Sequence, residues 1–397
     1  MRHYMTLGEL CDGPGGAIQT GPFGTQLHAS DYSEEGVAVI MPQDISPRGF
    51  VNGAKVKRVP HGIADELRRH ELKAGDIVYS RRGDVEKCAL VTSGDLPAMC
   101  GTGCLLLRPS SDSPVDPRFL NYRLACEDVR AWIRGHAVGA TMPNLNTQIL
   151  SQAPIVLPSL KEQQAIAEVL GALDDKIAAN DSLVRCAERL MESLVEGLTP
   201  TTYLGNIVRL SKKQVSPNDL DGVSVQHYSV PAFDQSRLPS EGPAGSILSA
   251  KFAIESPSVL LSKLNPRFPR VWNVLHPSEI SLASTEFLVL VPQELPTSAL
   301  WAVLSLARTK AFLVERVSGT SGSHQRVRPQ EALQIPVPDV SQFDAGLLER
   351  LDVLGETADI CRRASHTLAK LRDALLPPLM DGTLRVKDAV AQVEEVL

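Results

Sequence analysis

Four short segments of this chain recur, in the same order, about 180 residues further on. Residues 72–83, from Leu72 to Gly83, return in outline at 254–266, where Ser262-Lys263 takes the place of Ser80-Arg81. The stretch Thr102–Pro109 returns as Thr285–Pro292, Gly139–Thr141 as Gly319–Ser321, and Ile155–Pro158 as Ile335–Pro338. The offsets are 182, 183, 180 and 180 residues. A repeat of this regularity requires two copies of one supersecondary unit, so the fold must contain two similar modules. A long heptad-patterned segment follows each copy, and two similar modules on a spaced frame suit a protein that measures something with two halves.

The modules read as α+β. Short apolar runs at 36–41, 76–79 and 104–107, bounded by glycine, proline or charge, predict buried strands. Helices are predicted over 117–133 and 298–317, and without regular βαβ alternation α+β is the better class. The expected divisions are 1–159, 160–199, 200–340 and 341–397: module, helix, module, then helix and tail. Over 161–198, apolar residues step by four and three through 166, 170, 173, 177, 184, 187, 191, 194 and 198, with Asn180 the one polar member. This is a coiled-coil seam, and at 1.5 Å per residue it runs roughly 55 Å. A second seam over 347–376 slips once near 361–364, and Pro377-Pro378 is expected to end it. Two such helices can bury their seams on each other, antiparallel. Leu173, Ile177, Asn180, Leu190 and Leu194 are expected to meet Leu351, Leu354, Cys361, Leu371 and Leu375, with Asn180 fixing register. Two amphipathic helices packed separately on their own modules is the blander alternative.

Charge separates these parts. The chain is −6 overall, but residues 160–200 and 339–397 carry −4 each, leaving −1 on the first module and +3 on the second. Acidic helices and near-neutral modules leave room for a basic face on each module. No run of about 18 apolar residues exists to span a membrane. The first residues lack an apolar signal core, and the seven scattered cysteines fit a reducing cytoplasm, the expected location.

Signals of catalysis are sparse. There is no phosphate-binding Gly-x4-Gly-Lys-Ser/Thr loop, no Gly-x-Ser-x-Gly elbow and no His-Glu-x-x-His helix. Asn265-Pro266-Arg267-Phe268 is similar to the Asn-Pro-Pro-Tyr/Phe loop of amino-methyltransferases, but arginine replaces the second proline and no glycine-rich cofactor strand accompanies it. Cys100 and Cys104, with Cys88 nearby, lack the second pair or histidine cluster that a zinc site needs. The basic and amide-rich loops carry more. Arg81 and Arg82 follow one predicted strand, and Lys263, Asn265, Arg267 and Arg270 follow its repeat. Thr141, Asn144 and Asn146 lie in one later loop, and Ser323, His324, Gln325, Arg326 and Arg328 in the other. Arginine and lysine neutralise phosphate or fork onto guanine, asparagine and glutamine pair with adenine, and Gly/Ser loops let backbone N–H groups approach phosphate.

Several longer stretches identify a family. Gly21–Tyr32 followed by Gly36–Ile40 resembles the opening of a target-recognition domain, Lys73–Arg81 its central strand and loop, and Leu375–Leu384 the usual C-terminal ending. Leu157–Ala167 with Leu173–Ile177, containing Pro-x-x-x-Glu-Gln-x-x-Ile, resembles the junction of the first recognition domain with a spacer helix. Together these resemble the DNA specificity (S) subunit of type I restriction–modification systems over essentially the whole chain. The second junction, after Pro338, lacks the Glu-Gln pair. The resemblance implies a non-catalytic subunit whose two modules read the two halves of a split double-stranded DNA site, with the helices setting the unread spacer. It implies as partners two methyltransferase (modification) subunits using S-adenosylmethionine to methylate adenine N6, and restriction or translocase subunits driven by ATP with Mg. No cofactor or metal is expected on this chain. A protein-assembly scaffold, the specificity module of a related phage-defence system, and a self-sufficient enzyme are the alternatives.

Overall fold

The computed structural model describes residues 3–53, 56–139, 141–199, 201–220, 222–318 and 325–396. The chain divides into two compact units, residues 1–174 with 370–397, and residues 175–369. Each long helix therefore contributes to both.

In the first unit, β1 (His3–Thr6) pairs antiparallel with β9 (Pro154–Leu157) and closes the module end to end. Between them, β2 (Ala17–Thr20), β8 (Cys104–Arg108), β5 (Ile77–Ser80) and β6 (Cys88–Leu90) form an antiparallel sheet in that order. A smaller sheet places β3 (Val37–Ile40) between β4 (Lys57–Val59) and β7 (Ala98–Cys100), with β3 and β7 parallel. The predicted runs form β3, β5 and β8, and their side chains are buried on both faces, as continuous apolar runs require. Cys88, Cys100 and Cys104 are buried in β6, β7 and β8. Burial pushes the Cys88 thiol up to about 12, so it packs as a small hydrophobe.

The second unit repeats the plan. β10 (Thr201–Tyr203) pairs with β22 (Pro336–Pro338), the counterpart of β1 with β9. β11 (Val208–Ser211), β19 (Phe287–Pro292), β16 (Ser258–Ser262) and β17 (Val271–Val274) reproduce the first sheet's order. The smaller sheet grows to five strands: β12 (Gln214–Val215), β15 (Lys251–Ile254), β18 (Ser281–Ala283), β13 (Ser224–Tyr228) and β14 (Ser240–Pro243), with β13 and β18 parallel as β3 and β7 are. Apart from both sheets, β20 (Val317–Ser318) pairs antiparallel with β21 (Arg326–Val327).

The expected single helices are each two. Pro117–Leu124 is followed by Glu127–His136, and Thr297–Ser305 by Ala307–Glu315. The breaks fall at matching points, where Cys126 and Leu306 adopt extended backbone and bury their side chains.

The long helices span Leu160–Glu196 and Ala345–Asp381. In the second unit their pairing is antiparallel: Ser365 Oγ donates to Asp181 (3.1 Å) and Arg362 to Glu188 (2.8 Å). Val184, Ala187 and Ala358 pack together there with Leu354 and Cys361. Leu173, Ile177, Asn180, Leu351 and Leu375 are buried, Leu194 and Leu371 partly so. Leu190 is not in the seam; it is 49% exposed, and Val195 takes the buried place beyond Met191. Leu190 stands one residue before the four-and-three position 191, which is buried, while the exchange of Leu194 for Val195 follows from a helix that turns every 3.6 residues drifting off a 3.5-residue heptad. Nor does Pro377-Pro378 end the second helix, which continues to Asp381. The two prolines deprive the carbonyls of Asp373 and Ala374 of their partners, and both residues are exposed. Leu379 and Met380 are buried and hold the last turn. The stop is Gly382, whose φ of +77° is the left-handed C-terminal conformation that glycine adopts most cheaply.

Candidate nucleic-acid interface

Both modules build the same backbone frame at the end of the central strand. In the first, Arg81 N–H donates to Gly103 O (2.8 Å), Leu145 N–H to Arg81 O (2.9 Å) and Gly83 N–H to Pro143 O (3.1 Å). In the second, Lys263 N–H donates to Glu286 O (2.8 Å), Val327 N–H to Lys263 O (3.0 Å) and Asn265 N–H to Gln325 O (2.9 Å). The buried serine before each cation repeats as well: Ser80 Oγ donates to Arg82 O (3.3 Å) and Ser262 Oγ to Leu264 O (3.1 Å). Two residues past that serine's cation the backbone is left-handed, at Gly83 (φ +76°) and Asn265 (φ +50°). Glycine and asparagine are the residues that tolerate this. The bridges Arg82↔Asn144 and Leu264↔Arg326 lock the register. The loop after the strand and the loop before the next short helix, distant in sequence, thus form one surface in each module.

The side chains on this frame differ. Arg81 donates through Nε to Leu145 O (3.2 Å) and lies over the ring of Phe23 (5.7 Å to its centroid). Phe23 sits in a glycine-framed loop, where a Cβ on Gly21 would collide with Gly101 O at 2.0 Å. Phe23 is half exposed, and Arg82, Thr141 and Met142 are exposed on the loops of the frame. Sequence reading missed Phe23 as a site residue, although it lies in a stretch already singled out. In the second module Arg326 donates to Glu286 through Nε (3.1 Å) and Nη2 (2.9 Å). That contact holds the Glu286 carboxyl below the usual range, while burial draws the neighbouring Lys263 ammonium down. Arg267 and Phe268 are exposed on the turn that follows.

Some predicted readers have structural tasks. The Asn146 side chain accepts from Ile149 N–H (2.7 Å) and caps the helix Thr147–Ser151, the position Arg328 holds before Pro329–Leu333. Arg270 is committed to Asp234 through Nε (2.6 Å) and Nη2 (2.8 Å). Asn144 is half-buried, and its Oδ1 and that of Asn265 are buried with no partner among the described residues. Ser323 and His324 lie outside the described residues. Among the described residues no cluster of histidine, cysteine and carboxylate could hold a metal ion, and no helix is long and apolar enough to cross a membrane.

Residues 48–183 match the family described as type I restriction modification DNA specificity domain. The type I restriction enzyme MjaVIII specificity subunit of Methanocaldococcus jannaschii is 25% identical over 190 residues, 45% of this chain and 43% of that protein. The putative type I restriction enzyme MjaX specificity subunit of the same organism is 19% identical over 383 residues, 87% of this chain and 84% of that one. The crystal structure of the S subunit of a type I restriction–modification system from M. genitalium covers 96% of each chain with a TM-score of 0.61 and 17% identity, so the two share a fold.

Proposed function

We propose that this chain, which belongs to the type I restriction–modification DNA specificity subunits, reads a bipartite double-stranded DNA site with one half assigned to each module. One observation carries the reading: the same hydrogen-bonded frame occurs twice, residue for residue, with unlike side chains mounted on it. A repeated frame places two readers alike, and divergent side chains suit two unlike half-sites. Phe23, Arg81, Arg82, Thr141 and Asn144 serve the first half; Lys263, Arg267, Gln325 and Arg326 serve the second. The guanidinium groups supply phosphate contacts or forked contacts to guanine, and Gln325 supplies an amide matched to adenine.

The subunit carries out no chemistry itself. It directs adenine-N6 methylation, and restriction, by partner subunits that bind S-adenosylmethionine and, for cleavage, ATP with Mg. The paired acidic helices are the spacer that sets the unread gap. Methylome sequencing of cells carrying this gene with its modification partner is expected to return one asymmetric bipartite motif. Absence of any such motif, together with DNA binding that ignores salt, would favour a protein scaffold instead.

A further inference from the structure

The two frames differ at a position whose carbonyl both of them use. Where the first module has Gly103, in left-handed conformation (φ +87°), the second has Glu286. Its backbone carbonyl makes the same bond to the loop cation as Gly103's does. Its side chain adds something the first module has no counterpart for, a two-point contact with Arg326. Glu286 is itself held in place, since its N–H donates to Ser284 Oγ (3.3 Å). The pair is not a buried core bridge: the Arg326 side chain is 48% exposed and that of Glu286 29%. A surface ion pair of this exposure does little for stability.

Its chemistry suits a different task. The carboxylate occupies the Nε–Nη2 edge of the guanidinium. The other edge, formed by Nη1 and the second Nη2 hydrogen, is the fork that meets guanine O6 and N7. A flexible arginine must lose rotamer freedom to make that contact, and one already clamped through its Nε edge loses less. Carboxylates repel phosphate, so a glutamate on a DNA-facing loop costs affinity for every sequence. We propose that Glu286 is a specificity-determining positioning residue: it fixes Arg326 for one guanine of the second half-site and trades general affinity for discrimination there. The inference rests on the DNA-reading proposal above.

The test is a binding selection with the full chain, in the assembly in which it is purified, on duplexes randomised separately in each half-site. Wild type is compared with Glu286→Gln, Glu286→Ala, Arg326→Ala and, as a control on the other module, Arg81→Ala. Arg326→Ala is expected to erase a guanine preference at one base pair of the second half-site, a loss of about tenfold or more. Both Glu286 variants are expected to weaken that same preference and to raise affinity for unrelated DNA, leaving the first half-site untouched. A merely structural contact predicts the opposite pattern, a fall in affinity for all sequences with the preference retained. That pattern, or no change at that base pair in either Glu286 variant or in Arg326→Ala, overturns the assignment. Failure of the wild-type assembly to prefer any duplex overturns the DNA-reading proposal with it.

Discussion

At the scale of single residues, what was legible depended on whether a side chain's partner lies near it in the chain. Ser80-Arg81 and Ser262-Lys263 could be matched because the repeat aligns them, and the structure gives both serines the same bond. Arg270 could not be told from a DNA-facing arginine, because its partner Asp234 is 36 residues away. Arg270 holds the Asp234 carboxyl below its ordinary value. A carboxylate with a depressed folded pKa adds stability above its unfolded pKa and loses it as pH falls through the folded one. Urea midpoints of wild type are therefore expected to drop faster than those of Asp234→Asn below the usual aspartate range; parallel curves would show the pair contributes nothing. The Glu-Gln junction was the most specific motif in the chain, and its glutamine is structural. Gln163 is buried, donates through Nε2 to Pro114 O (2.9 Å) and Pro158 O (3.0 Å), and accepts from Asp116 N–H (2.9 Å). Asp116 in turn caps the helix Pro117–Leu124. Gln163→Ala leaves three backbone groups unpaired and is expected to cost about 2–4 kcal/mol. An unshifted denaturation midpoint would mean water replaces the amide without loss.

Among the elements, the long helices were the most legible because heptad spacing is a strong, local signal. Their ends and the register of their last turns were not, since those depend on what packs against them. Pro377-Pro378 is tolerated because the residues whose carbonyls it orphans are exposed while Leu379 and Met380 are buried. The breaks at Cys126 and Leu306 were hidden by apolar residues that suit a continuous helix equally well. The seam makes a graded prediction. Leu351 is fully buried and Leu190 half exposed. Leu351→Ala should cost about 2–5 kcal/mol, and Leu190→Ala less than about 0.5 kcal/mol, in thermal or urea unfolding. Equal effects would contradict the observed rotation of the first helix. Asn180 is 5% exposed, and its Nδ2 has no partner among the described residues. A buried amide in that state costs roughly 1–3 kcal/mol, so Asn180→Leu should raise the unfolding midpoint. A lowered midpoint would instead show that the asparagine sustains the pairing.

For the whole molecule, the repeat made the architecture legible while sequence divergence hid how the second module is finished. Its smaller sheet has five strands against three, and Glu286 stands where the first module has glycine. Two readers on separate units lead to a further expectation about energies. Residues that share no contact contribute to binding independently, within about 0.5 kcal/mol. Arg81→Ala should alter discrimination in the first half-site and Lys263→Ala in the second. The double variant should show the sum of the two losses on a duplex carrying both halves. Each phosphate contact removed should also flatten the salt dependence of binding by about one unit of slope, whichever module loses it. A duplex carrying one half-site should bind far more weakly than the intact site, because the second contact is then no longer made at the effective concentration that a shared chain provides. Titrations of the four proteins at several salt concentrations measure all of these terms at once. A double variant markedly less or more impaired than the sum would mean that the modules do not read their halves separately.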